Sequence, residues 1–203
     1  MKYVNYINKK LFSVIKKESS CVVFGQNITL GSALSGLGKN LFFSNKKIKV
    51  INTQNSENSL VGMGLGLMIT KVNSVFLVKQ QDFLLLSLDQ LVSTVNALRD
   101  RKIQAYFNIF SIVVDIGYEG PQSCLNNSSD FFSLTKIPTY HLNSKEEIDI
   151  FFKYHFRRKG IKLVNISQRL FKKELIVFSK IKLNKSKAFV QNSKGKDVTA
   201  ISF

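Results

Sequence analysis

Residues 51–83, INTQNSENSLVGMGLGLMITKVNSVFLVKQQDF, decide how the chain is read. A polar turn, Thr53-Gln54-Asn55-Ser56, gives way to an almost wholly apolar run opened by Glu57. Asn55 or Ser56 is placed to cap a helix that Glu57 begins. Val61, Leu65 and Met68 then fall on one face of that helix. Gly62, Gly64 and Gly66 each cost roughly 1 kcal/mol relative to Ala in a helix interior. They are expected where something packs close to the backbone. VNSVFLV (72–78) is apolar on both faces, as a central parallel strand is. Asp82 and Phe83 close the turn after it. Glu57 is one of two carboxylates before Asp82, Glu18 being the other. As an ordinary first-turn acid it complements the helix dipole. The sharper alternative is a buried catalytic carboxylate whose proton affinity burial raises.

The same alternation of strand and helix extends both ways. Residues 2–17 form an amphipathic helix, with Val4, Ile7, Leu11, Val14 and Ile15 on one side. CVVFG (21–25) and IKVIN (48–52) are strands, separated by a glycine-bearing loop with a helical turn over 30–44. LLLSLDQLVSTVNALRD (84–100) has the periodicity of one continuous helix. FNIFSIVVDIG (107–117) is another buried strand, and the turn-rich loop after it, 118–132, is a usual place for a ligand. TYHL (139–142) and KLVNIS (162–167) are later strands. They flank a helix over 145–157 capped by Asn143 or Ser144 and opened by Glu146 and Glu147. Buried strands alternating with helices predict an α/β fold, a parallel sheet with helices on both faces as a three-layer sandwich. Residues 181–203 turn to Lys, Asn and Ser, then to AFVQNSKGKDVTAISF, which suggests two short strands about Lys194-Gly195-Lys196.

The chain of 203 residues supports one domain with a good core. Its formal charge is +17, and residues 145–203 hold 15 Lys/Arg against 5 Asp/Glu. Such charge suits nucleic acid or other anionic partners. The lysines are dispersed along the sequence and no nucleic-acid motif accompanies them, so solvated surface is the expectation. Cys21 and Cys124 have no metal-ligand spacing and no disulfide framework, which fits a reduced, cytoplasmic setting. The basic N-terminal helix lacks the apolar core and cleavage site of a signal peptide. No run reaches about 18 apolar residues, so no membrane span is expected.

Taken together, several stretches resemble the pyrimidine-binding domain of thiamine diphosphate enzymes, above all transketolase and the beta subunits of 2-oxoacid dehydrogenases. VVFGQNI resembles the family strand that ends at a Gly-Glu/Gln-Asp/Asn turn. NTQNSENSLVGMGLGLMI resembles its T-P-x-x-E…G…G-x-A stretch, with Glu57 at the glutamate of that pattern. VKQQDFLLLSLDQLVSTVNALR resembles F-x-D-F…DQ-x-x-N, and GYEGPQSCLNN resembles the loop G-x-x-G-x-Q-H-S. SKGKDVTAISF resembles the start of the family's C-terminal domain. The resemblance covers about residues 20–203 and divides the chain into an N-terminal helix (1–18), a transketolase-like pyrimidine-binding domain (19–180), and a linker with the first strands of an incomplete C-terminal domain (181–203).

The resemblance implies that Glu57 bonds N1′ of the cofactor's aminopyrimidine ring. That bond favours the imino tautomer of the 4′-amino group, which takes the thiazolium C2 proton. It implies that Phe83 packs on the same ring; as an ordinary core residue it would be one Phe among 17. The family's loop histidine is replaced by Ser123 or Cys124, which leaves the substrate open. His141 and His155 are given no role. No Gly-Asp-Gly occurs in the sequence, so the diphosphate and its Mg2+ or similar divalent metal are expected on an alpha-type partner subunit, in a heterodimer or heterotetramer acting on a ketose or 2-oxoacid. Nucleic acid and membrane are not expected partners. The alternative is a non-catalytic structural or regulatory subunit that keeps the fold and the interface.

Overall fold

In the computed structural model, residues 1–117, 120, 126–178, 182–183 and 190–191 are described. Helix α1 (Tyr3–Ile15) leads into β1 (Cys21–Gly25), and a turn at Leu34–Gly36 precedes β2 (Ile48–Asn52). Helix α2 (Glu57–Ile69) follows, then β3 (Ser74–Val78). The next helical segment starts as a tight 3-10 turn (Gln81–Ser87), widens to a π turn (Gln90–Thr94) and ends as α3 (Val95–Leu98). After β4 (Tyr106–Val113) come α4 (Ser128–Thr135), β5 (Thr139–His141), α5 (Lys145–Ile150) with a further π turn to His155, and β6 (Gly160–Ser167).

The strands form one six-stranded sheet in the order β2-β1-β3-β4-β6-β5. Every neighbouring pair is parallel. The centre of the sheet is apolar on both faces: all five residues of β3 and all eight of β4 are buried. One face carries α1 and α5, whose Ile7, Leu11, Ile148 and Phe151 pack on Val23, Leu77 and Phe110. The other carries α2, the segment 81–98 and α4, with Leu65, Leu91 and Phe131 against Phe24, Phe76 and Phe107. The three-layer α/β expectation is therefore met. At roughly 25 cal/mol per Å2 of apolar area, these two layers supply most of the drive to fold.

Local sequence decides the helix ends in two instructive ways. Ser144 caps α5 as expected, in a capping box with Glu147. Ser56 stands at the N-cap of α2 but caps nothing with its side chain; its hydroxyl bonds Ser59 Oγ at 2.9 Å instead. Gly64 faces the sheet so closely that a Cβ there would lie 2.1 Å from Phe107 Cζ. Gly66 meets nothing within 4 Å, and Gly62 touches only the end of Gln90. The expected close packing thus holds for Gly64 alone, against the chain's own sheet.

The continuous helix expected over 84–100 is also corrected: the apolar face is present, but the winding changes twice along it. Gln81, Asp82 and Ser87 are buried within these tight first turns. Of the C-terminal stretch, Lys182–Leu183 pairs antiparallel with Val190–Gln191. The strand expected beyond Lys194-Gly195-Lys196 lies outside the described residues.

Candidate active site

All six strands point their carboxyl ends to one edge, where open α/β sheets take ligands. Here Glu57, the first residue of α2, and Phe83, in the turn after β3, line one depression of about 400 Å3 with Asn55, Ser56, Asn58 and Leu86. Both side chains are half-buried. Glu57 is therefore at the mouth of the depression, accessible from outside this chain, and not sealed in the interior. Two connections of the sheet bring together a carboxylate and an aromatic face.

Behind Phe83 the wall is polar and buried. Asp82 accepts from Asn127 Nδ2 at 2.9 Å through Oδ1, while Oδ2 is buried without a partner among the described residues. Burial pushes its carboxyl above the usual range, only partly opposed by a backbone amide. Gln81 is fully buried. Its Nε2 donates to Ser128 Oγ (3.1 Å) and Asn165 Oδ1 (3.0 Å), and its Oε1 accepts from Asn127 N (3.1 Å). Asn165 in turn accepts from Ser111 Oγ at 2.8 Å and donates to Ser128 Oγ at 2.8 Å. This network ties the turn after β3, the middle of β4, the end of β6 and the start of α4 into one rigid corner. Sequence reasoning missed Gln81, Ser111, Ser128 and Asn165. The available signal was the set of polar residues inside two largely apolar strands, Asn108 and Ser111 in FNIFSIVV and Lys162, Asn165 and Ser167 in KLVNIS.

A second cleft of about 390 Å3 opens on the α1 side of the same edge, where the chain leaves β1 and β3 in opposite directions. Gln26, Asn27, Ser32, Lys79 and Gln80 give it a polar wall. Gly25 makes that junction possible: at φ 152° a Cβ would sit 2.3 Å from Leu77 O.

The remaining candidates separate cleanly. Cys21 is buried in β1, its Sγ 3.9 Å from Tyr106 Oη, and burial pushes its thiol up to about 12, which suits packing and not nucleophilic chemistry. His141 stands on β5, where burial lowers its pKa against the pull of Glu147. His155 is buried with Nδ1 3.2 Å from Tyr140 Oη. Neither approaches the Glu57 depression in its lining. Ser123 and Cys124 lie outside the described residues. Among the described residues, no group of three or more His, Cys, Asp or Glu could hold a metal ion. No helix among them is long and apolar enough to cross a membrane.

Sheet order and layering define a doubly covered parallel α/β domain with a depression at its carboxyl edge. No protein-family model matches the sequence, and no curated protein matches it. Among solved structures the fold matches a protein of Mycobacterium smegmatis described as a candidate thiamin diphosphate-dependent enzyme. The TM-score is 0.55 and the identity 15%, over 82% of this chain and 32% of that one. It also matches a split-gene transketolase in an inactive β4 tetramer, with TM-score 0.51 and 11% identity over 80% of this chain and 50% of that one. The chain thus has the fold found in thiamine diphosphate-type enzymes, and it spans about a third and a half of these two relatives.

Proposed function

We propose that the chain is the pyrimidine-side, beta-like subunit of a heteromeric thiamine diphosphate-dependent enzyme of transketolase type, transferring a two-carbon or acyl unit. The observation that carries this is the shared depression of Glu57 and Phe83. One carboxylate and one exposed ring face are what an aminopyrimidine requires: an acid for a ring nitrogen and an apolar plane for the ring. When bound, the cofactor supplies the electron sink for carbonyl chemistry. Glu57 would bond N1′ and orient the ring. Phe83 covers one face of it and excludes water. Asp82 and the Gln81 network keep the turn that carries Phe83 from moving.

The diphosphate and its divalent metal fall to an alpha-type partner. Beside the depression, Leu85 and Leu86 are 46% and 67% exposed, and Met63 is exposed further along α2. This apolar ledge supports a subunit contact that would also close the mouth around Glu57. The polar cleft with Lys79 suits the hydroxyls and anionic end of a ketose or 2-oxoacid.

The test is reconstitution with an alpha-type subunit. Glu57→Gln should lower turnover at least ~100-fold, the usual scale for a lost proton-transfer group, while size-exclusion chromatography still finds the complex. A Gln variant with full activity would refute the mechanism. A non-catalytic subunit would instead assemble with the partner and leave cofactor affinity unchanged by Glu57→Gln.

A further inference from the structure

The amino edge of the sheet, opposite the candidate active site, gathers charge that the linear sequence scatters. Six segments lead into the six strands, and parallel pairing brings all of them to this edge. Lys16 and Lys17 precede β1, and Lys46 and Lys47 precede β2. Lys71 leads into β3 and Lys136 into β5. Arg99, Arg101 and Lys102 lead into β4. Arg157, Arg158 and Lys159 lead into β6. All twelve are exposed. The same segments hold two carboxylates, Glu18 and Asp100. Four of the five arginines of the chain are here.

The segments are tied to one another. Glu18 accepts from Arg157 Nε at 2.6 Å and from Asn73 Nδ2 at 3.2 Å. Asn45 Nδ2 reaches Glu18 O at 3.3 Å, and Lys159 Nζ donates to Gln104 O. The edge is therefore a continuous shelf. At roughly 4.8 Å between strands it runs about 24 Å.

Two ordinary explanations fall short. A lysine-rich composition would load both edges, yet the segments just after the strands balance Lys79, Lys145, Arg169, Lys172 and Lys173 against Glu57, Asp82, Asp115, Glu146, Glu147 and Glu174 among the described residues. Helices of a parallel α/β fold also end at the amino edge, where cations complement their dipoles. Five helix ends supply only about half a negative charge each, far below the surplus of ten on the shelf.

The chemistry of the shelf selects the partner. Its exposed uncharged residues are Ser19, Phe42, Ser44, Thr70, Gln104 and Pro138. Protein interfaces are depleted of lysine at their centres and rely on several large apolar anchors, whereas here Phe42 is the one large exposed apolar side chain beside twelve cations. Membrane-surface helices likewise bury an apolar face. A nucleic acid needs neither. About 24 Å spans about seven base-pair steps of a duplex at ~3.4 Å per step. One exposed ring, Phe42, stands in these segments, too few to stack a run of unpaired bases.

We propose that the amino edge is a docking surface for the phosphodiester backbone of a nucleic-acid duplex, bound without base readout. Binding there leaves the Glu57 edge free and does not depend on the cofactor assignment.

The experiment is fluorescence anisotropy of the full chain with labelled 20-bp DNA and RNA duplexes of two unrelated sequences, between 50 and 200 mM salt. Binding is expected to be indifferent to sequence and to weaken ~1000-fold over that range, as about six phosphate contacts imply. A Lys46→Glu/Lys47→Glu/Lys102→Glu variant should lose at least tenfold at 50 mM salt. A Lys2→Glu/Lys172→Glu/Lys173→Glu variant, with the same charge change away from the shelf, should stay within about twofold. The Lys→Gln version of the shelf variant should lose severalfold and guards against misfolding of the reversed one. Preference for the RNA or the DNA duplex identifies the source of the backbone, and either supports the proposal. Equal loss from both reversed variants, no binding at 50 mM salt, or tighter binding to phosphatidylserine vesicles or polyglutamate than to either duplex overturns it.

Discussion

Gly64 and Gly66 stand on one helix, two residues apart, and alanine should act on them with opposite sign. Added alone, an alanine methyl favours the helix by about 1 kcal/mol over glycine. At Gly66 the new atom meets nothing within 4 Å, so that gain stands and Gly66→Ala should stabilise by up to about 1 kcal/mol. At Gly64 the methyl would lie 2.1, 2.4 and 2.5 Å from three atoms of the Phe107 ring. Ordinary carbon contact is about 3.5–4.0 Å, so the ring or the helix must move by an ångström or more. Phe107 is fully buried and stacks on Phe24 at 6.2 Å, itself stacked on Phe76 at 5.0 Å. Overpacking of this kind costs about 1–3 kcal/mol and exceeds the helix gain. Urea denaturation of the isolated chain measures both variants, with the m-value reporting whether the native state has loosened. If Gly64→Ala is as stable as the parent, the Phe107 contact is soft and the account of this glycine is wrong.

Two further perturbations test other parts of the core. Lys162 is 2% exposed, with Nζ donating to Arg158 O and to Gly160 O at 3.2 Å, and burial aided by Arg158 lowers its pKa to about 7. The unfolded chain holds that proton up to about 10.4, so wild-type stability rises as pH climbs from about 7 to 10.5. Lys162→Met should therefore be more stable at pH 7, by a few kcal/mol with about 5 kcal/mol as the ceiling. The advantage should fade by pH 10.5; melting curves at pH 7 and 10 that shift equally would refute it. Gln81→Leu strips Asn165, Ser128 and Asn127 N of a buried partner and should cost about 2–4 kcal/mol in chemical denaturation. Loss below 0.5 kcal/mol would mean the corner repacks without it.

How far the sequence discloses this molecule depends on the range of each interaction. β1 and β2 run to the residues expected, because a short apolar run bounded by turns is a local signal. The segment after β3 kept its apolar face, Leu84, Leu91 and Val95, but periodicity says nothing about where buried side chains tighten or widen the winding. The Gln81 network joins residues 47 and 84 positions apart, which no local pattern encodes. Glu57 and Phe83 were singled out together through family resemblance alone, and their common depression required the β2–α2–β3 crossover to be built. The lysines read as dispersed for the same reason: their gathering is a property of strand direction, not of spacing.

The Phe107 contact also limits how the Glu57 edge can operate. Gly64 lies two helical turns from Glu57, about 10 Å along the axis at ~1.5 Å per residue. A ring wedged against the backbone there stops α2 from sliding lengthwise, so the acid behaves as a fixed post. The turn bearing Phe83 is pinned in the same way by the Gln81 bonds, so any part that moves to widen or narrow the depression would have to belong to a second polypeptide.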